Sequence, residues 1–133
     1  MGKVQVFERK EPGFGTVVIY ERWKVAVFNS DTMWKEEKIA YLQKHEKSDE
    51  VFILLKGVCT LLLSDEEIPT KVYGVKMEQG KVYNVPKGVW HSHVLKDGTS
   101  VIVVENSDTT PENSPKIPIP YPIDLKGIEY RSV

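Results

Sequence analysis

The hydrophobic residues of the chain fall into short runs that are separated by residues typical of turns. The runs are rich in β-branched and aromatic side chains, which predicts β-strands rather than helices. The predicted strands span residues 4–8, 16–20, 23–28, 51–55, 58–63, 71–77, 81–85, 90–95 and 100–105. Many short strands without a convincing helix indicate an all-β sandwich or barrel.

The strand pattern has three local features that constrain the fold. Residues 33–41 fit a helix or a strand, and alternation favours a strand from Ile39 onward. The strands at 51–55 and 58–63 are hydrophobic on both faces, so both faces must be covered. The KDGT sequence at residues 96–99 is typical of a hairpin turn, and it predicts that the strands on either side pair.

Proline becomes frequent after Asn106, where five of the eight prolines lie. Hydrophobic residues alternate with them along one side of the predicted extended chain, at Ile117, Ile119, Tyr121 and Ile123. Residues 115–118 also fit the P-x-x-P pattern of polyproline ligands. The alternation favours a barrel domain over residues 1–110 and an extended arm over residues 111–133, which packs on its own domain or on a neighbouring subunit.

Composition and charge exclude several classes of partner. The chain has 18 basic and 19 acidic residues, which gives no electrostatic reason to expect nucleic acid or an anionic membrane. It has no hydrophobic signal sequence and no run of transmembrane length. Its one cysteine, Cys59, lies in a hydrophobic run and is predicted to be a structural thiol in a reducing compartment. We therefore expect a cytoplasmic protein.

The three histidines of the chain lie in two short stretches, residues 42–57 and 80–93. Residues two apart on a strand point to the same face. His91 and His93 therefore share a face, and the same rule predicts one face for Ile39, Tyr41, Gln43 and His45.

Glu50 follows His45 by five residues, across a turn-prone segment, so its side chain can point back to the same place. Two histidines and one carboxylate suit Fe(II) and related divalent ions. The set His45, Glu50 and His91 is therefore a candidate metal site, and an open coordination position would let substrate bind the metal directly.

The spacing of these residues resembles the two motifs of the cupin family. The second motif, G-x5-P-x-G-x2-H, is matched by Gly80, Pro86, Gly88 and His91. The first motif is matched from its middle onward, at His45, Glu50 and Gly57. The resemblance implies the family's double-stranded β-helix, or jelly-roll barrel, here with a Pro-rich C-terminal arm.

The resemblance also implies a ligand set for a divalent transition metal, Fe, Mn, Ni or Zn. Residue by residue it carries over to His45, Glu50 and His91, with Gln43 in the place of a fourth ligand that is histidine in the family. The amide oxygen of Gln43 is a poorer donor than imidazole for most of these metals. Three alternatives follow: Gln43 is the fourth ligand, His93 replaces it or acts as a base, or the site binds ligand without metal.

The family suggests two classes of function. The first is a metal-dependent lyase, isomerase or dioxygenase acting on a small carboxylate or carbonyl compound, with His93 or Tyr41 as the catalytic residue that moves a proton. The GVWH sequence at 88–91 is similar to a stretch of the ureidoglycolate lyases, which are cupin-like. The second is a non-catalytic cupin that binds a sugar or organic acid, and the substitution at Gln43 favours it.

Trp90 has the opposite parity to His91 and is predicted to face away from the cavity. Together with the hydrophobic outer faces of residues 51–63 and 100–104, it indicates a buried exterior. A homodimer interface would bury such a surface, so we expect a homodimer.

Overall fold

The computed structural model describes residues 2–133, which form an almost entirely β structure. There are eleven strands and three single-turn 3₁₀ segments, and no α-helix occurs in this range. The strands are β1 (Gly13–Tyr20), β2 (Trp23–Asn29), β3 (Tyr41–Gln43), β4 (Glu50–Lys56), β5 (Cys59–Ser64), β6 (Tyr73–Lys76), β7 (Val82–Val85), β8 (Trp90–Leu95), β9 (Ser100–Asn106), β10 (Lys116–Pro118) and β11 (Glu129–Tyr130). No helix within residues 2–133 has the length and hydrophobicity to cross a membrane.

The strands form two facing sheets. One has the order β1-β2-β9-β4-β7, and the other has the order β10-β3-β8-β5-β6-β11. All paired strands are antiparallel except β11 and β6. The chain changes sheet at seven of its connections, and only those joining β1 to β2, β5 to β6 and β10 to β11 stay within one sheet. This alternation is that of a jelly roll, which confirms the predicted fold class.

The predicted hairpin of residues 90–95 with residues 100–105 is wrong. The turn itself forms, because the Thr99 N–H donates to the Lys96 carbonyl at 3.2 Å. However, β8 pairs with β3 and β5, whereas β9 pairs with β2 and β4. A turn sequence fixes only the local reversal of the chain. The sheet that each strand joins depends on how its side chains pack in the core between the two sheets.

The start of the chain and the segment before β3 also differ from expectation. Residues 4–8 form no strand and pair with none in the described chain, and Val4 and Val6 are 80% and 87% exposed. Residues 32–38 form two 3₁₀ turns, so the expected strand begins at Tyr41 rather than Ile39. Because Ile39 precedes the strand, the parity rule does not reach it, and it packs outside the barrel beside Leu42.

Two hydrophobic cores lie on opposite faces of the six-stranded sheet. The inner core fills the space between the sheets and includes Phe28, Phe52, Leu61, Leu95, Val101 and Val103. The outer core comprises Leu42, Leu62, Trp90 and Val94 under Ile117, Ile119, Ile123, Leu125 and Ile128 of the C-terminal segment. The C-terminal segment also adds β10 and β11 to this sheet. This explains why β5 is hydrophobic on both faces, because each face is covered.

Trp90 faces away from the cavity, as its parity predicted. It is only 7% exposed, and its indole N–H donates to the Glu67 carbonyl at 2.9 Å. Its cover is the C-terminal segment of its own chain, so burial of Trp90 needs no second subunit.

Candidate metal centre

Three segments of the chain converge at one end of the barrel and hold the site. His45 follows β3, Glu50 opens β4, and His91 is the second residue of β8. The Gly88 N–H donates to the His45 carbonyl at 2.8 Å, which ties the two histidine stretches together. Gly88 has φ of +81°, a conformation that a side chain would disfavour. The turn sequence around Gly88 therefore directs His91 into the barrel.

The side chains of His45, Glu50 and His91 lie close together at this end of the barrel. Glu50 Oε1 lies 3.0 Å from His45 Nε2 and 2.9 Å from His91 Nε2. One donor atom of each residue lies within 4.8 Å of the others. The three residues are 7%, 5% and 4% exposed, respectively.

The outward nitrogens of both imidazoles already have partners. His91 Nδ1 lies 2.9 Å from the Val89 carbonyl, which can only accept, so this nitrogen carries the proton. His45 Nδ1 lies 2.7 Å from Ser114 Oγ, and that hydroxyl donates to Asn113 Oδ1 at 3.3 Å. In their neutral forms both rings therefore present an Nε2 lone pair to Glu50. Such outer partners are a regular feature of metal-binding histidines.

This donor set fits a divalent transition metal. Lone pairs on two nitrogens and a carboxylate oxygen that face one another require a proton or a cation between them. Two atoms that bind one metal at about 2.1 Å and at right angles lie about 3.0 Å apart. The two N–O distances of 3.0 and 2.9 Å match that spacing. Imidazole and carboxylate ligands suit Fe, Mn, Ni or Zn.

Glu105 is a second buried carboxylate at the site, which the sequence interpretation missed. It pairs with Glu50 across β9 and β4. Glu105 Oε1 lies 3.7 Å from Lys24 Nζ, and Oε2 lies 4.0 Å from His45 Nε2. Its sequence signal was the alternation of Val101, Val103 and Glu105, because a carboxylate that continues a hydrophobic inward face is unusual.

The two carboxyl groups have opposite pKa shifts. Burial raises the pKa of Glu50, but the adjacent His45 and His91 side chains outweigh this effect, so that the net pKa lies below the usual range. Burial, followed by the nearby Glu50 charge, raises the pKa of Glu105 to about 8. The site therefore concentrates its negative charge on Glu50, between the two histidines.

Gln43 and Tyr41 lie on β3 and line the same cavity as the three candidate ligands. Gln43 is directly opposite His91 in the β3–β8 pairing. Its amide nitrogen donates to the Ser114 carbonyl at 3.2 Å. Ser114 thus contacts both Gln43 and His45, a connection that the sequence interpretation also missed.

His93 lines the cavity but lies apart from the group of three. Its ring packs edge-on against aromatic rings, with centroid distances of 4.6 Å to Phe28, 4.7 Å to Trp34 and 5.7 Å to Phe52. Burial and the neighbouring His91 lower the pKa of His93 to about 4. His93 is therefore a neutral imidazole at pH 7.

The cavity around these residues has a volume of about 360 Å³, within the usual range for small-molecule sites. Lys24 and Lys116 line it, as do the aromatic residues Phe14, Phe28 and Trp34. It therefore combines the candidate metal ligands with cationic and aromatic side chains.

Comparisons with known proteins agree on the fold. No family model and no curated protein matches the sequence. A cupin-2 domain protein from Shewanella frigidimarina superposes with a TM-score of 0.54 at 17% identity, covering 74% of this chain and 84% of its own. A variant of Streptomyces PAC13 with uridine has a TM-score of 0.62 at 12% identity, covering 96% and 98%.

A third structure is much longer than this chain. Oxalate decarboxylase from Bacillus subtilis has a TM-score of 0.58 at 17% identity, covering 82% of this chain and 29% of its own. At these identities the likeness concerns architecture. The chain has the cupin fold.

Proposed function

We propose that the barrel binds a divalent transition metal and acts on a small polar metabolite, a carboxylate or a carbonyl compound. The metal ligands are His45, Glu50 and His91, with Gln43 beside them. The observation that carries this proposal is the convergence of three donor atoms within 4.8 Å, with the outward nitrogens of both histidines bound elsewhere.

A bound metal would supply a Lewis acid that polarises an oxygen of the substrate. Tyr41 and His93 line the cavity and are the proposed proton-transfer groups. Because its pKa is lowered to about 4, His93 can accept a proton at pH 7 but cannot donate one from an imidazolium. Glyoxylate release from ureidoglycolate is the first reaction to assay, because of the resemblance at residues 88–91.

Elemental analysis of purified, untagged protein tests the metal proposal. We expect one Fe, Mn, Ni or Zn per chain in the wild-type protein and none in a His45→Ala/His91→Ala double variant. His93→Ala is the matched control, because this histidine lies outside the group of three, and it should retain the metal. Wild-type protein that stays empty after incubation with all four ions would contradict the proposal.

A second candidate function is non-catalytic binding of a sugar or organic acid. The observation that favours it is Gln43, whose amide nitrogen is engaged by the Ser114 carbonyl at the position where cupins carry a histidine. Turnover of any carboxylate or carbonyl substrate by the metal-loaded protein, lost in Glu50→Gln, would set this alternative aside.

We also propose a homodimer that forms through the outer face of the five-stranded sheet. Two rows of hydrophobic residues cross this face in register, Val25–Val104–Val51 and Val27–Ile102–Ile53. These side chains are only partly buried, and the C-terminal segment packs on the opposite side of the barrel. Sedimentation should show a dimer at micromolar concentration and a monomer for Ile102→Glu, and a wild-type monomer would contradict the proposal.

A cytoplasmic location is proposed on the basis of Cys59. Burial raises the pKa of its thiol to about 12, which makes it an unreactive structural thiol. Cell fractionation should recover the protein in the cytosolic fraction. Enrichment in a secreted fraction would contradict the proposed location.

A further inference from the structure

Polar atoms without partners are concentrated in the candidate metal cavity. Four buried side-chain atoms of the described chain have no hydrogen-bond partner: Ser92 Oγ, His93 Nδ1, Glu105 Oε2 and Thr109 Oγ1. All four residues line the same cavity. Ser92 alternates with His91 and His93 along β8, which directs its side chain to the other face. The remaining three atoms belong to side chains that line the cavity.

Folded proteins satisfy nearly all of their buried polar groups, so such a set indicates groups that a ligand satisfies. Thr109 Oγ1 and His93 Nδ1 can each donate or accept a hydrogen bond, and Glu105 Oε2 can accept one from a hydroxyl. None of these three atoms belongs to the group of candidate metal ligands. A ligand with several hydroxyl groups, each of which can donate and accept, can satisfy all three.

Lys24 holds two members of this set in place. Its Nζ donates to the Thr109 carbonyl at 3.2 Å and lies 3.7 Å from Glu105 Oε1. The Lys24 side chain is 15% exposed, so the contact is shielded from solvent. These contacts restrict the positions of Glu105 and Thr109 before a ligand binds, which lowers the entropic cost of binding.

Part of the cavity wall is aromatic. Trp34, Phe28 and Phe14 line it, and each ring contacts the next edge-on, with centroids 5.2 and 5.7 Å apart. Such a wall suits the C–H face of a saturated ring or carbon chain rather than further hydroxyl groups. The ligand is therefore expected to combine polar groups with a hydrocarbon face.

The charged side chains of the cavity indicate the charge of the ligand. Two lysines and two glutamates line the cavity, Lys24, Lys116, Glu50 and Glu105. Whether or not Glu105 carries a proton, the formal charges of these four side chains do not sum to a negative value, so a bound divalent ion leaves a net positive charge. That favours an anionic ligand with an oxygen donor for the metal.

We propose that the natural ligand is a hydroxycarboxylate of the sugar-acid class. Its carboxylate lies toward the metal, its hydroxyls pair with Glu105 Oε2, Thr109 Oγ1 and His93 Nδ1, and its C–H face lies against Trp34. This inference rests on the proposed function for the carboxylate contact, whereas the hydroxyl contacts are independent of the metal.

Calorimetric titration with three probes of similar size tests the inference: D-galacturonate, D-galactose and cyclohexanecarboxylate. Galacturonate should bind at least about tenfold more tightly than either of the others, because only it has both the charge and the hydroxyls. Thr109→Val, which removes the hydroxyl at nearly constant shape, should weaken galacturonate binding about three- to tenfold and leave cyclohexanecarboxylate unaffected. Thr109→Ser should restore binding.

Thr16→Val, on the exposed edge strand β1, is the matched control and should change nothing. Each sample is also analysed for metal. Wild-type protein that cannot be loaded contradicts the proposed function, and the Thr109→Val comparison on that same protein still decides the hydroxyl contacts. Metal-loaded protein that binds the three probes equally, binds none, or ignores Thr109→Val overturns this inference alone.

Discussion

Ser114 Oγ lies 2.7 Å from Nδ1 of His45, although 69 residues separate the two in sequence. The hydroxyl is buried, and it donates a hydrogen bond to Asn113 Oδ1. His45 therefore carries its proton on Nδ1 and presents the Nε2 lone pair to Glu50. The start of the C-terminal segment thus positions a candidate metal ligand in addition to covering the outer core.

Replacing Ser114 by alanine should weaken metal binding about 10- to 100-fold, the usual effect of losing an outer-shell partner. The Ser114 carbonyl still accepts from Gln43, so the local backbone should be kept. Competition with a fluorescent chelator measures the dissociation constant. Ser132→Ala, at an exposed position, is the control. Equal constants for wild-type and Ser114→Ala protein would show that the hydroxyl does not orient His45.

A Gln43→His substitution should tighten binding of Ni²⁺, because imidazole is a better donor than an amide oxygen for this ion. We expect a gain of about tenfold, equivalent to ~1.4 kcal/mol. Gln43 lies opposite His91, so the new ring is introduced beside the existing ligands. Gln5→His adds a histidine at an exposed site and should have no effect. A loss of affinity in Gln43→His would indicate that the amide itself is required.

The outer core predicts how much the C-terminal segment stabilises the fold. Ile123 is 7% exposed and packs with Leu62 and Trp90. Ile123→Ala should lower the free energy of unfolding by about 2–4 kcal/mol, the range for deletion of a buried aliphatic side chain. Ile19→Ala, at a position 60% exposed, should cost ~0.5 kcal/mol or less. Urea denaturation compares the two, and similar small effects would mean that the segment is not packed in solution.

His93 should make the metal-free protein sensitive to acid. Its pKa is lowered from 6.5 to about 4 in the folded state, so the unfolded state binds its proton first as the pH falls. This contribution to stability is present above pH 6.5 and is lost between pH 6.5 and about 4, amounting to up to about 3 kcal/mol. Because Glu105 has a raised pKa and contributes with the opposite sign, the measurement is a difference between variants.

His93→Phe provides that difference, since a phenyl ring suits the surrounding rings and does not titrate. Urea denaturation of both proteins after chelator treatment should show wild type losing stability relative to His93→Phe between pH 6.5 and 4. Parallel pH profiles for the two proteins would contradict a neutral, buried His93.

Local sequence signals predicted the strands, and the motif spacing selected His45, Glu50 and His91 before any strand pairing was known. These signals succeeded because alternation, turn residues and loop lengths act over a few residues. The KDGT turn did not reveal the sheet assignment of β8 and β9, because a turn reverses the chain whether the two strands pair with each other or join different sheets. The unpaired segment at residues 4–8 shows the same limit, because alternation supplies no partner.

Glu105 and Ser114 were missed for a related reason. Glu105 reaches the site only because β9 lies beside β4, and Ser114 only because β10 pairs with β3. Both pairings join residues far apart in sequence and depend on register, which a single sequence leaves open. The candidate metal ligands were thus predictable from spacing, whereas the residues that contact them required the fold.

Anomalous diffraction from crystals grown with Mn²⁺ or Ni²⁺ tests the central claim most directly. We predict one anomalous peak per chain, about 2.0–2.3 Å from His45 Nε2, Glu50 Oε1 and His91 Nε2, with no peak in crystals of Glu50→Gln. An ordered barrel with no peak at these three atoms, or with a peak only at surface residues, would contradict the proposed metal centre.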